Sequence, residues 1–181
     1  FMEVGARVGV SGMFEEINRL GILKKTGIDV PGEAGTIMHK KENVGAVELA
    51  TMSFGQSFQL SPIRMLTSIS QIINGGKSIT PHFGVSATNS DGTVMKKFAY
   101  SSGEEVITEE KSKEICEALG HVVTEGGGKK AAVEGYMVGA KTGTSQKLPR
   151  GNGKYIASCM GFSPVENPQV IALVRIDEPQ G

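Results

Sequence analysis

The tetrad Lys141-Thr142-Gly143-Thr144 joins a cation, two hydroxyls and a residue without a side chain, the types that can hold an anionic ligand close against a backbone. It follows the short apolar run Tyr136-Met137-Val138-Gly139-Ala140, which reads as a strand. On a strand successive side chains alternate, so Gly139, Lys141 and Gly143 share one side while Val138, Ala140, Thr142 and Thr144 share the other. The first side offers an ammonium in a cleared space. A ligand lying along the strand's edge would also meet backbone N–H groups and the flanking hydroxyls, which suits a peptide carrying a carboxylate. A second Lys-Thr-Gly, Lys25-Thr26-Gly27, sits between Leu23-Lys24 and Ile28-Asp29-Val30-Pro31 and reads as a surface turn.

The elements that must position the tetrad are legible in the same way. Ser11 as N-cap with Met13, Phe14, Ile17 and Leu20 predicts a short amphipathic helix that stops at Gly21. Residues 22–60 read as irregular, with Leu49 to Gly55 a brief buried segment. Ser61 as N-cap and Pro62 at the first helical position open the clearest helix, which carries Ile63, Leu66, Ile69 or Ser70, Ile72 and Ile73 and ends at Gly75-Gly76. After the turn Asn89-Ser90-Asp91-Gly92, residues 94–100 form the best strand candidate of the next stretch. A third helix begins near Thr108, has Glu109 and Glu110 at the favourable end of its dipole, and should bury Ile115, Cys116, Leu119 and Val122. Gly126-Gly127-Gly128 ends it; with Lys129 and Lys130 this cluster invites a phosphate-loop reading, but it does not open a helix after a strand. Three strands finish the chain, near 135–144, 155–162 and 170–176, and their short linkers make them antiparallel hairpins. Helices segregated from an antiparallel sheet give an α+β architecture.

At 181 residues the chain is one domain or a large part of one. Nineteen basic residues balance nineteen acidic ones, so no electrostatic footprint for nucleic acid or an anionic membrane exists. No run reaches the roughly 18 apolar residues of a membrane span. Cys116 and Cys159 lie in apolar runs and read as buried small hydrophobes; neither they nor His39, His82 and His121 have metal-ligand spacing. No cofactor or metal is called for.

The order of these elements resembles the C-terminal part of the transpeptidase domain of class B penicillin-binding proteins of the division and sporulation type. The resemblance rests on Leu49-Ala-Thr-Met-Ser-Phe-Gly-Gln56 leading to Leu60-Ser-Pro-Ile-Arg-Met-Leu66 and Asn74-Gly-Gly76 with Pro81-His82, on Gly139-Ala-Lys-Thr-Gly-Thr-Ser-Gln146, and on Tyr155-Ile-Ala-Ser-Cys-Met-Gly-Phe-Ser-Pro164 with Asn167-Pro168 and Asp177-Glu-Pro179. It implies a penicillin-binding and serine β-lactamase-like fold and a peptidoglycan D,D-transpeptidase, which cross-links acyl-D-Ala-D-Ala stem peptides through a serine acyl-enzyme and is the target of β-lactams. By position, Lys141 and Thr144 would be catalytic. Lys141, Thr142, Gly143 and Thr144 would bind substrate, with the Thr144 N–H an oxyanion donor.

The family's S-x-x-K and S-x-N motifs are absent, since no serine is followed by lysine three residues on or asparagine two residues on. The resemblance thus implies that residues 1–181 are the C-terminal portion of a single transpeptidase domain, cut at both ends and inactive alone, with the nucleophile and membrane anchor elsewhere. It also implies action at the extracytoplasmic face of the bacterial cell membrane. A truncated sheet would favour oligomerisation. The alternatives are a non-catalytic penicillin-binding sensor or cell-wall interaction module, or a D,D-carboxypeptidase or β-lactamase of the same superfamily. One departure from the family pattern is Ser57, where glycine commonly follows Phe-Gly-Gln; it should alter a turn and leave the chemistry alone.

Overall fold

In the computed structural model of the chain, which describes residues 1–147, 149 and 151–180, the elements follow the α+β order read from the sequence. Leu148, Arg150 and Gly181, which fall in the linker after the tetrad's strand and at the predicted end of the chain, lie outside the described residues. The chain divides into two compact units: Phe1–Gln71 with Lys77–Val106, and Ile72–Gly76 with the chain from Ile107 onward.

The first unit opens with helix α1, Met2–Arg19, which extends well upstream of the predicted start at Ser11. Gly9 breaks it at φ 72°, ψ 171°, a conformation open to glycine and strained for other residues. The sequence signal captured only the second half because that half alone carries the apolar stripe, with Phe14 and Ile17 buried against Met52. Residues 22–60 are more regular than expected. They contain β1 (Ile37–Met38), α2 (Ala46–Ser53) and β2 (Phe58–Gln59), with β1 and β2 paired antiparallel. The brief buried segment is the second half of α2, whose Leu49 and Met52 point inward. The Lys25-Thr26-Gly27 turn is also better built than a solvated loop. Thr26 is buried and gives both its N–H and its hydroxyl to the Glu33 carboxylate at 2.8–3.0 Å.

Helix α3, Pro62–Ile73, starts where the sequence placed it, with the Ser61 hydroxyl accepting the Arg64 N–H at 3.2 Å, and stops before Gly75 and Gly76 at φ 85° and 80°. Its buried face differs from the one expected. Ile63, Leu66, Ile69 and Ile72 are half-buried, whereas Arg64, Thr67, Ser68 and Gln71 are buried along with Ile73. Local bonds make this tolerable: Thr67 donates to the Ile63 carbonyl, and Arg64 donates to Ser68 Oγ and to the Leu20 carbonyl.

Strands β3 (Ser86–Thr88) and β4 (Val94–Lys97) form an exposed hairpin, shorter than the predicted 94–100, around the Asn89–Gly92 turn. Its base is tied to Asp29, which accepts the N–H groups of Phe83 at 2.9 Å and Gly84 at 2.7 Å. The Tyr100 hydroxyl lies 3.0 Å from the same carboxylate and 2.8 Å from the Gly84 carbonyl, and the Tyr100 ring stacks on His82 at 3.8 Å.

In the second unit, α4 (Glu109–Thr124) is capped by Thr108, which accepts the Lys111 N–H at 3.3 Å. Its buried stripe is Ser112, Cys116 and Val123; Ile115, expected inside, is exposed, because the face toward the sheet runs through 112, 116 and 123 and leaves 115 on its flank. Helix α4 packs against β5 (Gly139–Gln146), which pairs antiparallel with β6 (Tyr155–Ser163), as β6 does with β7 (Val170–Asp177). The sheet order is β5-β6-β7. Met160 and Phe162 on β6 are buried, while Val170, Val174 and Ile176 leave one face of β7 apolar and exposed.

Two expectations follow. Ser57 stands at φ 69°, a left-handed conformation that costs a non-glycine residue about 1 kcal/mol, and its Oγ lies 3.0 Å from Thr51 Oγ1. In urea unfolding of the full-length protein, Ser57→Gly should therefore come out about 1 kcal/mol more stable than Ser57→Ala, which loses the hydroxyl and keeps the strain; equal values would show that the backbone is unstrained there. The Phe83 and Gly84 N–H groups, in that order, hold the Asp29 carboxyl below the usual carboxylate range. A depressed folded pKa means that the tie is complete above the ordinary value of about 4 and is lost only as pH falls through the lower folded value. Amide exchange should find Phe83 and Gly84 protected at neutral pH and freed by Asp29→Ala; equal exchange in both proteins would discount the tie.

Candidate active-site strand

All four residues of the tetrad lie on β5, one of the two outer strands of the sheet among the described residues. The register sets Gly139, Lys141 and Gly143 opposite Phe162, Met160 and Ser158, and Ala140, Thr142 and Thr144 opposite Gly161, Cys159 and Ala157. The alternation of faces is the one read from the sequence. The cleared space beside Lys141, however, is taken by the protein itself. A Cβ on Gly139 would fall 2.4 Å from the Phe162 ring, and one on Gly143 would fall 3.0 Å from Ser158 Oγ, which donates to the Gly143 carbonyl at 3.3 Å. The two glycines admit β6 side chains rather than a ligand.

The ladder settles which backbone groups remain for a ligand. In an antiparallel pair, hydrogen-bonded and non-bonded residues alternate. Just past the strand, the Lys147 N–H donates to the Lys154 carbonyl at 2.9 Å, in the register that pairs Gln146 with Tyr155. The odd residues of β5 therefore bond to β6, and the even residues turn their N–H and C=O groups outward. On the other side of β6 the same parity holds, where the Glu178 N–H donates to the Tyr155 carbonyl at 2.9 Å. The outer edge of β5 thus presents the main chain of Thr142 and Thr144, both exposed, with their hydroxyls beside it. Lys141 is exposed as well, and its ammonium donates to the outward Thr142 carbonyl at 2.6 Å. A cation, two hydroxyls and two sets of main-chain donors and acceptors line one edge, an arrangement that can take an extended peptide with a terminal carboxylate.

Residues of β6 back the tetrad from the other side, and the sequence did not reveal them. Phe162 and Ser158 could be assigned to the Gly139 and Gly143 gaps only once the register was known. Cys159, half-buried, sits opposite Thr142, while Cys116 is buried and donates to the Ile73 carbonyl; both thiols are free, and burial pushes the Cys116 thiol up. Among the described residues no group of His, Cys, Asp and Glu is placed to hold a metal.

The Gly139 contact gives a direct check. Because Phe162 is only 2% exposed and has no room to retreat, Gly139→Ala should cost about 1–3 kcal/mol in denaturant unfolding of the full-length protein. A neutral substitution would mean that the ring yields.

The penicillin binding protein transpeptidase domain model matches residues 1–181. Stage V sporulation protein D of Bacillus subtilis is 40% identical over 185 residues, covering all of this chain and 29% of that protein. Peptidoglycan D,D-transpeptidase FtsI of Escherichia coli is 30% identical over 174 residues, 94% of this chain and 28% of that protein. Among solved structures, penicillin-binding protein 3 of Mycobacterium tuberculosis in complex with aztreonam has the same fold, at a TM-score of 0.87 and 23% identity over 98% of this chain and 42% of that one. The transpeptidase domain of Burkholderia pseudomallei penicillin-binding protein 3 aligns at a TM-score of 0.82 and 27% identity, over 98% and 52%. The chain spans under a third of the length of these two curated relatives. Edge strand, antiparallel partners and residue-by-residue similarity agree: the chain belongs to the penicillin-binding protein transpeptidase family, in its class B branch.

Proposed function

We propose that the protein carrying this chain is a peptidoglycan D,D-transpeptidase and that residues 1–181, as the C-terminal portion of its single transpeptidase domain, supply the substrate-binding strand. The observation that carries the reading is the outer edge of β5, where Thr142 and Thr144 turn their main chain outward beside the Lys141 ammonium. In this role an acyl-D-Ala-D-Ala stem peptide adds to the sheet as a further strand. Lys141 holds positive charge against its carboxylate, and the Thr142 and Thr144 hydroxyls donate to the same group. Gly143 keeps the strand close to β6. The Thr144 N–H donates to the oxyanion that forms when a serine, supplied from outside this chain, attacks the penultimate carbonyl; the last D-Ala leaves and the acyl group passes to an amine. β-Lactams acylate the same serine.

The nucleophile is absent from residues 1–181, so the isolated chain is inactive. The whole protein works at the extracytoplasmic face of the membrane through an anchor elsewhere. Among the described residues, no helix is long and apolar enough to cross a membrane. The exposed apolar face formed by Val170, Val174 and Ile176 supports self-association of the isolated chain.

Fluorescent penicillin and a stem-peptide cross-linking assay test this together. The full-length protein should form a covalent adduct and transfer acyl peptide to an amine, and the isolated chain should do neither. Lys141→Ala should slow acylation by about a hundredfold or more, the loss typical of one removed transition-state contact. An adduct on the isolated chain, or cross-linking at the normal rate by Lys141→Ala, would overturn the assignment.

A further inference from the structure

β5 is bonded to the sheet along one side only, so the position of its outer edge depends on how its ends are held. At its C-terminal end the chain enters a turn whose glycines, Gly151 and Gly153, sit at φ 85° and 73°. Across the mouth of that turn lies a linked set of charges. Lys147 Nζ is 2.9 Å from Asp177 Oδ1 and 2.8 Å from Glu178 Oε1, and Lys154 Nζ is 3.1 Å from the same Glu178 oxygen. The set joins the residue after β5, the residue before β6 and the end of β7. Most other surface pairs among the described residues link neighbours on one helix turn, as Arg7 with Glu3 or Lys113 with Glu109, while Lys77 meets Glu105 across an isolated β-bridge at 3.7 Å. The Lys147 side chain is only 29% exposed, against 78% for Arg7.

The backbone there is held in an unusual state as well. Glu178 stands at φ 49°, a left-handed conformation that non-glycine residues keep only when their surroundings over-determine it. Its N–H is bonded to the Tyr155 carbonyl and its carboxylate to two lysines, which together fix it. Lys147 is tied twice too, through its N–H to the Lys154 carbonyl and through its ammonium to two carboxylates. Glu178, then Asp177, raise the Lys147 pKa, and Lys147, then Lys154, lower that of Glu178, so both stay charged at neutral pH.

We infer that Lys147 and Glu178 form a clamp that fixes the end of β5 against β7 and thereby positions the Thr144 edge for acyl transfer. The inference rests on the transpeptidase reading. Thr144 is three residues from Lys147, about 10 Å along an extended strand, so freedom at the clamp reaches the oxyanion donor directly. Neither residue touches substrate; they are positioning residues. A displaced donor weakens contacts that matter in the transition state more than contacts in the ground state, so the loss should fall on the acylation step and spare binding.

The test measures saturable acylation of the full-length protein by a fluorescent penicillin, with melting temperatures of the same samples. Lys147→Ala should lower the acylation rate constant about tenfold, leave the apparent binding constant unchanged and melt within about 2 °C of wild type. Lys147→Arg, which can still reach both carboxylates, should stay within about twofold of the wild-type rate. Lys113→Ala, which breaks the 2.7 Å surface pair with Glu109, should change nothing. Should Lys147→Ala fail to fold, Glu178→Gln at neutral pH is read in its place, with the same tenfold loss expected. The clamp is overturned if the rate is unchanged, if the loss lies in the binding constant, if it tracks a lowered melting temperature, or if Lys147→Arg fails to restore it. A wild-type protein that takes no penicillin at all overturns the transpeptidase reading instead, and the clamp's catalytic role with it.

Discussion

The parity of the β5–β6 ladder is the constraint from which the rest of the candidate site follows. An antiparallel strand bonded on one side has half its peptide groups committed and half free, and a shift of one residue exchanges the two sets. Here the committed set is the odd one, which leaves Thr142 and Thr144 facing outward. Every chemical property assigned to the strand depends on this. With the opposite parity the hydroxyl-bearing residues would spend their main chain on β6, and Gly143 would offer its own to a ligand.

What holds that parity is steric as much as hydrogen-bonded. Phe162 fills the place where a side chain on Gly139 would be, and Ser158 approaches Gly143. Both contacts belong to the odd face and are compatible with one register only, since a slip by one would set Phe162 against the Cβ of Ala140 or of Val138. The same face carries Met160, buried with Phe162, so apolar burial and strand register favour the same arrangement.

The sequence was most legible where a local rule decides the outcome. Ser61-Pro62, Thr108 with Glu109 and Glu110, the Asn89–Gly92 turn and the three terminal strands act through their neighbours in sequence, and the structure has them all. Elements set by tertiary context were not legible. The first half of α1 and the helix α2 carry weak local signals, Ile115 looks as apolar as Cys116 but lies off the packed stripe, and α3 buries Arg64 and Thr67 because bonds to distant or preceding carbonyls satisfy them. The tetrad's place on a strand was legible, yet its surroundings were not. A glycine beside a candidate ligand site looks like room for the ligand until the register shows which side chain already occupies it.

The bond from Lys141 to the Thr142 carbonyl has a consequence for selectivity. The resting strand closes its own circuit: the cation that would greet an anion and the acceptor that would greet a donor satisfy each other. The ammonium keeps two further N–H donors and the carbonyl a second lone pair, so a ligand that brings both an acceptor and a donor could engage the two groups together. A lone carboxylate would engage the ammonium alone. In the role proposed for the strand, a peptide bearing an N–H and a carboxylate at matching spacing would engage both groups at once, so that the pair would work as a two-key lock that favours peptides over simple anions.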